Sequence, residues 1–198
     1  MKTASLALLL AAVAAASGLS ADQAPLIQNS RVTVWDVAPS APAPATSRDV
    51  VTFVIRGNAA SAQGTALYRA RGTAPEPLPT GSRAIVIELQ DAKAPPLANT
   101  TGYPLAFPRP GSKKLLENDR VVVWSFTWTP GVATPVHFHD KDVVVTYLAD
   151  GALTSTDPQG KAVVNEHHFG YTKFNARDRV HTETLTRGQA SALMVELK

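Results

Sequence analysis

Apolar positions along this chain fall in short runs that are β-branched or alternate with polar residues, and Gly, Pro, Asp and Asn separate the runs. Val121-Val122-Val123-Trp124-Ser125-Phe126-Thr127-Trp128 contains a period-two section that places Trp124, Phe126 and Trp128 on one face of a strand. Asp142-Val143-Val144-Val145-Thr146-Tyr147-Leu148 is a second β-branched run, bounded by the turn pair Asp150-Gly151. Residues 154–164 read as strand, turn, strand around Asp157-Pro158-Gln159-Gly160. Beyond an apolar run at the N-terminus, no stretch has the 3.6-residue period of an amphipathic helix. Short strands at near-regular spacing predict an all-β sandwich or barrel.

The same pattern repeats. Leu26-Ile27-Gln28-Asn29-Ser30-Arg31-Val32-Thr33-Val34-Trp35 reads against Leu115-Leu116-Glu117-Asn118-Asp119-Arg120-Val121-Val122-Val123-Trp124, and Thr52-Phe53-Val54-Ile55-Arg56-Gly57 against Thr146-Tyr147-Leu148-Ala149-Asp150-Gly151. Each half closes on an apolar strand, residues 84–89 and 192–197. Three matched blocks in one order argue for duplication. The predicted division is 22–90 for the first half, 115–198 for the second, and a Pro-rich linker at 91–114, whose prolines suit an ordered or semi-rigid spacer and not a helix.

All five histidines lie in the second half. His137 and His139 are spaced i, i+2 on a strand that follows the turn at Gly131, so they share one face about 7 Å apart along the strand. A neutral imidazole ligates a transition metal at about 2.0–2.1 Å, and His181, on a later strand, is the third candidate ligand. His167 and His168 are adjacent and point to opposite faces, which suits a surface or supporting role better than ligation.

Gly131, five residues, then His137-x-His139, with Gly151 closing the strand pair and a lone histidine further on, resembles the two signature motifs of the cupin superfamily. Counted from Gly170, the family's second motif places a proline at Ala176, a glycine at Asp178 and the metal histidine at His181, so the spacing survives and the turn residues do not. The family's glutamate ligand falls at Val143 or Val144, and valine cannot ligate. The resemblance covers about residues 115–198. It implies an all-β, duplicated cupin-type jelly-roll barrel (double-stranded β-helix) and a divalent metal ion (Fe, Mn, Ni or Zn) on His137, His139 and His181. It further implies a small-molecule substrate, with dioxygenase-like oxidation or a related metal-assisted reaction as the chemistry and a homodimer paired through barrel edges as the assembly. The other reading is a non-catalytic cupin that binds a small ligand or serves a structural role and has lost the metal. The first half contains no histidine and has Pro42-Ala43-Pro44-Ala45 where His137 would match. It is expected to be a degenerate, structural copy, short of a strand pair and packed on the C-terminal barrel.

Around the site, Glu183 shares strand parity with His181, while Asp140 and Asp142 alternate away from His137 and His139. Lys141 shares their parity and would oppose a metal unless it points to the rim; Val143, also on that parity, makes the wall apolar. A site of neutral histidines leaves more positive charge on the ion than a carboxylate-bearing one and favours anionic substrates, with dioxygen activation if the metal is Fe(II). Tyr147 and Arg179 are candidates to fix a substrate carboxylate. Trp124, Phe126 and Trp128 either line the barrel mouth or form inter-sheet core.

Charge and composition narrow the rest. The formal net charge is +3, and Lys113-Lys114 and Arg69-Ala70-Arg71 are too short to form a nucleic-acid stripe. The chain has no cysteine, so no disulfide holds it. Residues 1–21 combine a basic start, a short apolar core and a small-residue exit, which reads as a signal peptide cleaved after Ala21 and predicts export to the periplasm or the extracellular space. No second apolar run is long enough to anchor the chain in a membrane. The sequon Asn99-Thr100-Thr101 is read as coincidental.

Overall fold

The computed structural model describes residues 24–39, 41, 43–56, 64–74, 78 and 81–198, and the predicted signal peptide lies outside them. Fourteen strands and no helix occur among these residues: β1 (Ile27–Gln28), β2 (Val32–Val37), β3 (Val50–Arg56), β4 (Thr65–Arg69), β5 (Arg83–Leu89), β6 (Ser112–Glu117), β7 (Val121–Thr127), β8 (His137–His139), β9 (Asp142–Tyr147), β10 (Gly151–Thr156), β11 (Ala162–His167), β12 (Thr172–Asn175), β13 (Arg179–Gly188) and β14 (Ser191–Leu197). They form three antiparallel sheets, ordered β1-β2-β5-β3-β4, β12-β9-β14-β7-β6 and β11-β10-β13-β8. From β7 onward the chain passes back and forth between the last two sheets, and this alternation makes the C-terminal half a jelly roll, a double-stranded β-helix. Its interior is a cluster that includes Trp124, Phe126, Trp128, Val143, Val145, Tyr147, Leu153, Leu185 and Met194.

The duplication is visible in the sheet order. With β2 matched to β7, β5 to β14, β3 to β9, β1 to β6 and β4 to β12, the first sheet and the five-stranded sheet of the barrel have one and the same order. Register agrees as well: Val32↔Leu89 and Val34↔Ile87 correspond to Val121↔Leu197 and Val123↔Val195. The middle block needs a correction. Thr52 pairs with Val86, whose counterpart Met194 pairs with Val145, so Thr52 matches Val145 and not Thr146. Identity at one threonine misled the sequence alignment, and a one-residue slip exchanges the two faces of a strand.

The two repeated sheets pack face to face through equivalent residues. Val32, Val34, Val51, Ile85, Ile87 and Leu89 meet Val121, Val123, Val144, Leu193, Val195 and Leu197 in a single core whose members are at most 3% exposed. The arrangement has the self-complementary character of a two-fold interface, built within one chain. Ion pairs at its end follow the same symmetry: Arg31 Nη1 reaches Asp142 Oδ2 at 2.8 Å, and Arg120 Nη1 reaches Asp49 Oδ2 at 2.8 Å. Asn29 and Asn118 each turn the chain just before these arginines, each accepting two backbone N–H bonds on its side-chain oxygen. Among the described residues the first half has no second sheet. Its other face carries only a small cluster around Val37, Val50 and Val86.

The stretch 91–114 is more than a spacer. Residues 112–114 already belong to β6, and upstream of them the chain lies along the free edge of β8, with Phe138 N–H donating to Pro104 O at 2.8 Å and Ala106 N–H to Phe138 O at 2.8 Å. Proline-rich backbone is extended and poor in donors, which suits a cover for a sheet edge. It carries Ala106 and Phe107 into the barrel interior and delivers Arg109, 9% exposed, to the bowl.

Candidate metal centre

β8 is only three residues long, and its register against β13 builds the site: His181 stands opposite His137, and Arg179 opposite His139. The turn before β8 has Gly131 at φ +70°, in the left-handed region that glycine adopts freely. Thr134 then ties the incoming loop to β13, its N–H donating to Glu183 O and its hydroxyl oxygen accepting from Glu183 N–H, each at 2.9 Å. On the far side of the site, Asp178 sits at φ 66°. The cupin pattern has a glycine there; this chain keeps the left-handed backbone with a residue that tolerates it better than most.

The three imidazoles face one another as a near-equilateral triangle, with ring centroids 5.0, 4.7 and 5.0 Å apart. One ligand atom from each lies within 4.8 Å of the others. His137 Nδ1 lies 2.8 Å from Pro135 O, which makes it the donor and leaves Nε2 with a lone pair. His181 Nδ1 is 3.2 Å from Ser155 Oγ, while His139 Nδ1 is buried without a partner. The Nε2 atoms of His139 and His181 are 3.2 Å apart, about the separation of two ligands each bound at 2.0–2.1 Å to one ion. Burial pushes His137 and His181 down to about 3, with Arg109 and Arg179, respectively, as the next cause, and pushes His139 well below the usual range. The donors are therefore neutral, as ligation requires, and the set fits a divalent metal.

Other expected residues take distinct places. Val143, 1% exposed, lines the cavity beside His139, so apolar wall occupies the family's glutamate position. Glu183 does face the bowl, but its Oε2 accepts from Arg109 Nη2 at 3.3 Å and Trp128 Nε1 at 3.2 Å and does not join the histidine cluster. Asp142 points away to Arg31, as its parity requires. Lys141 is neutralised by Asp140 at 2.8 Å and lies 3.8 Å from Glu196, a buried carboxylate that also accepts from Trp124 Nε1. Trp124, Phe126 and Trp128 share one face and pack as core: Phe107 stacks on Trp124 at 5.1 Å, and Trp128 meets Phe126 edge-on at 4.6 Å. Tyr147 lines the cavity and stacks on His167 at 4.2 Å, while His168 is exposed.

Arg109 was missed by sequence reasoning. Its guanidinium lies 4.3 Å from the Phe126 ring centroid and 5.0 Å from that of Phe107, and Nη1 donates to His137 Nε2 at 2.5 Å. No periodic signal marks it, because it comes from the proline-rich segment. Lys173 and Asn175 were also missed, although β12 parity would have found them once β12 was known to pair with β9.

No family model matches the chain, and no curated protein does. Among solved structures it is similar to a cupin domain from Bordetella pertussis Tohama I, at 25% identity over 47% of this chain and 99% of that one, with a TM-score of 0.41. It is also similar to a cupin 2 conserved barrel domain protein from Leptotrichia buccalis, at 14% identity over 88% of each chain and a TM-score of 0.46, and to YhaK from Escherichia coli, at 13% identity over 84% and 83% and a TM-score of 0.46. What defines the class is the chain's own geometry, a cupin-type jelly roll with three histidines in its bowl. Its particular form is a duplicated one, in which the first copy contributes a single sheet that backs the barrel.

Proposed function

We propose that this chain is an exported cupin-type metalloprotein that holds Fe, Mn, Ni or Zn through His137, His139 and His181 and presents it to a small anionic molecule, with dioxygenase-like oxidation as the leading chemistry. The observation that carries the reading is the convergence of three neutral imidazoles, two buried and one half-buried, two of them oriented through Nδ1 contacts. A bound divalent ion supplies Lewis acidity there and, as Fe(II), redox chemistry. The protein supplies orientation, an apolar wall at Val143 and Tyr147, and positive charge from Arg109 and Arg179. The predicted signal peptide supports export.

One observation favours a second reading, a non-catalytic ligand-binding cupin: Arg109 already satisfies the His137 Nε2 lone pair that a metal would use. Elemental analysis of untagged protein separates the two. The parent is expected to carry close to one equivalent of metal, His137→Ala and His181→Ala to lose most of it, and His168→Ala to retain it. A metal-free parent, or full occupancy in all three variants, leaves the second reading standing.

A further inference from the structure

Cations inside the bowl are not matched by acids. Arg109 is paired with Glu183, and Lys141 with Asp140 and Glu196. Lys173 and Arg179 have no carboxylate within ion-pair distance among the described residues. β12 pairs with β9 so that Lys173 stands opposite Val145 and Asn175 opposite Val143; Asn175 lines the cavity, and Lys173 shares its strand face one step along, opposite a residue that also lines it. The Lys173 ammonium lies 6.0 Å from the Tyr147 ring centroid. Arg179 alternates with His181 and Glu183 along β13 and spends only its Nε, on Ala176 O at 2.5 Å, leaving the planar Nη pair free for a bidentate acceptor.

We infer that the bowl binds a small carboxylate, held by the Lys173 ammonium and the Arg179 guanidinium on the wall beside the three histidines. This assignment rests on the reading of the bowl as the ligand site. An unpaired cation in a largely buried setting is unfavourable, and an anionic headgroup is the counterion that the wall lacks. Burial lowers the pKa of both groups, Glu183 opposes the shift in each, and for Lys173 the Arg179 charge adds to it. Size limits the ligand: the cavity among Asn175, Arg179, His139, His181, Tyr147 and Glu183 measures about 20 Å³, room for the two oxygens of one carboxylate, with the rest of the molecule toward the mouth.

The test is isothermal titration of succinate into the full chain stripped of metal with a chelator, with succinamide as the neutral counterpart. The parent should bind succinate and not succinamide. Lys173→Met and Arg179→Met should each weaken binding at least about tenfold, a loss of about 1.4 kcal/mol, while exposed Lys161→Met leaves it unchanged. Should Arg179→Met fail to fold, Lys173→Met decides alone. Equal binding of succinamide, no binding of succinate by the folded parent, or undiminished binding by the folded variants overturns the assignment. Because the titration is made without metal, its failure is distinct from a failure of the metal reading, which elemental analysis of the parent decides.

Discussion

Val143 occupies the place where a cupin-type site carries its glutamate, and it lines the cavity beside His139. Val143→Glu should therefore add a fourth ligand. Without metal, the new carboxylate sits in an apolar wall across the strand pair from Glu196, another buried acid, and is strongly unfavourable there. The expected signature is two-sided: a lower melting temperature than the parent after chelation, and a larger rise on addition of Zn(II), because binding to the folded state stabilises by mass action. Unchanged values in both states would mean that position 143 offers no ligand to the histidine centre. Asp178 shows the opposite relation between residue and backbone. Its identity departs from the cupin motif, yet its φ lies in the left-handed region that a glycine at that spacing adopts freely, so spacing was a better guide to the site than residue identity.

At the scale of elements, the interface between the repeated sheets carries two equivalent ion pairs, each linking an arginine at the start of one half's strand to an aspartate of the other half. The side chains are 9–15% exposed, so removing one partner strands a largely desolvated charge, at a cost of about 3 kcal/mol. Asp49→Asn and Asp142→Asn are expected to lower stability by similar amounts in urea denaturation, and Asp49→Asn to do so although Asp49 lies in the half that has no histidine. A loss confined to Asp142→Asn would show that the two pairs are not equivalent. That the two halves share one arrangement was implicit in the three repeated blocks, although the sheet order itself was not. The one-residue offset in the middle block was not, since both β-branched runs fit either register until cross-strand partners choose one.

Across the whole molecule, the three histidines of the bowl, two buried and one half-buried, couple the site to the fold. His137 and His181 are held near 3 and His139 well below its usual range, whereas in the unfolded chain each titrates near 6.5. The unfolded state thus binds more protons between these values, and stability is full above about pH 6.5 and falls as pH drops toward 3, by up to about 1.4 kcal/mol per pH unit for each histidine. Glu196, raised by burial, works in the opposite direction, one group against three. Chelated protein should therefore lose stability steadily between about pH 6.5 and 4.5 in urea titrations, and the His137→Ala variant should lose less over that range. A flat profile for the parent would contradict neutral burial of the histidines.

Local pattern determined the strands, the duplication and the three histidines, because alternation, turn residues and the His-x-His spacing are properties of neighbouring positions along the chain. The absence of a ligand at Val143 was legible for the same reason. That the first half is short of strands and packs on the barrel was an expectation from its length; tertiary structure decided what depends on contacts between distant segments: which residues of the two sheets meet, and the exchange of arginine and aspartate between the halves. It also brought Arg109 from an aperiodic proline-rich stretch against His137 and turned Lys173 to the strand face of the cavity that Arg179 lines, with neither in an ion pair among the described residues. Strand-forming tendency is written residue by residue, whereas the charge balance of a bowl is a sum over strands that meet only after the chain has closed.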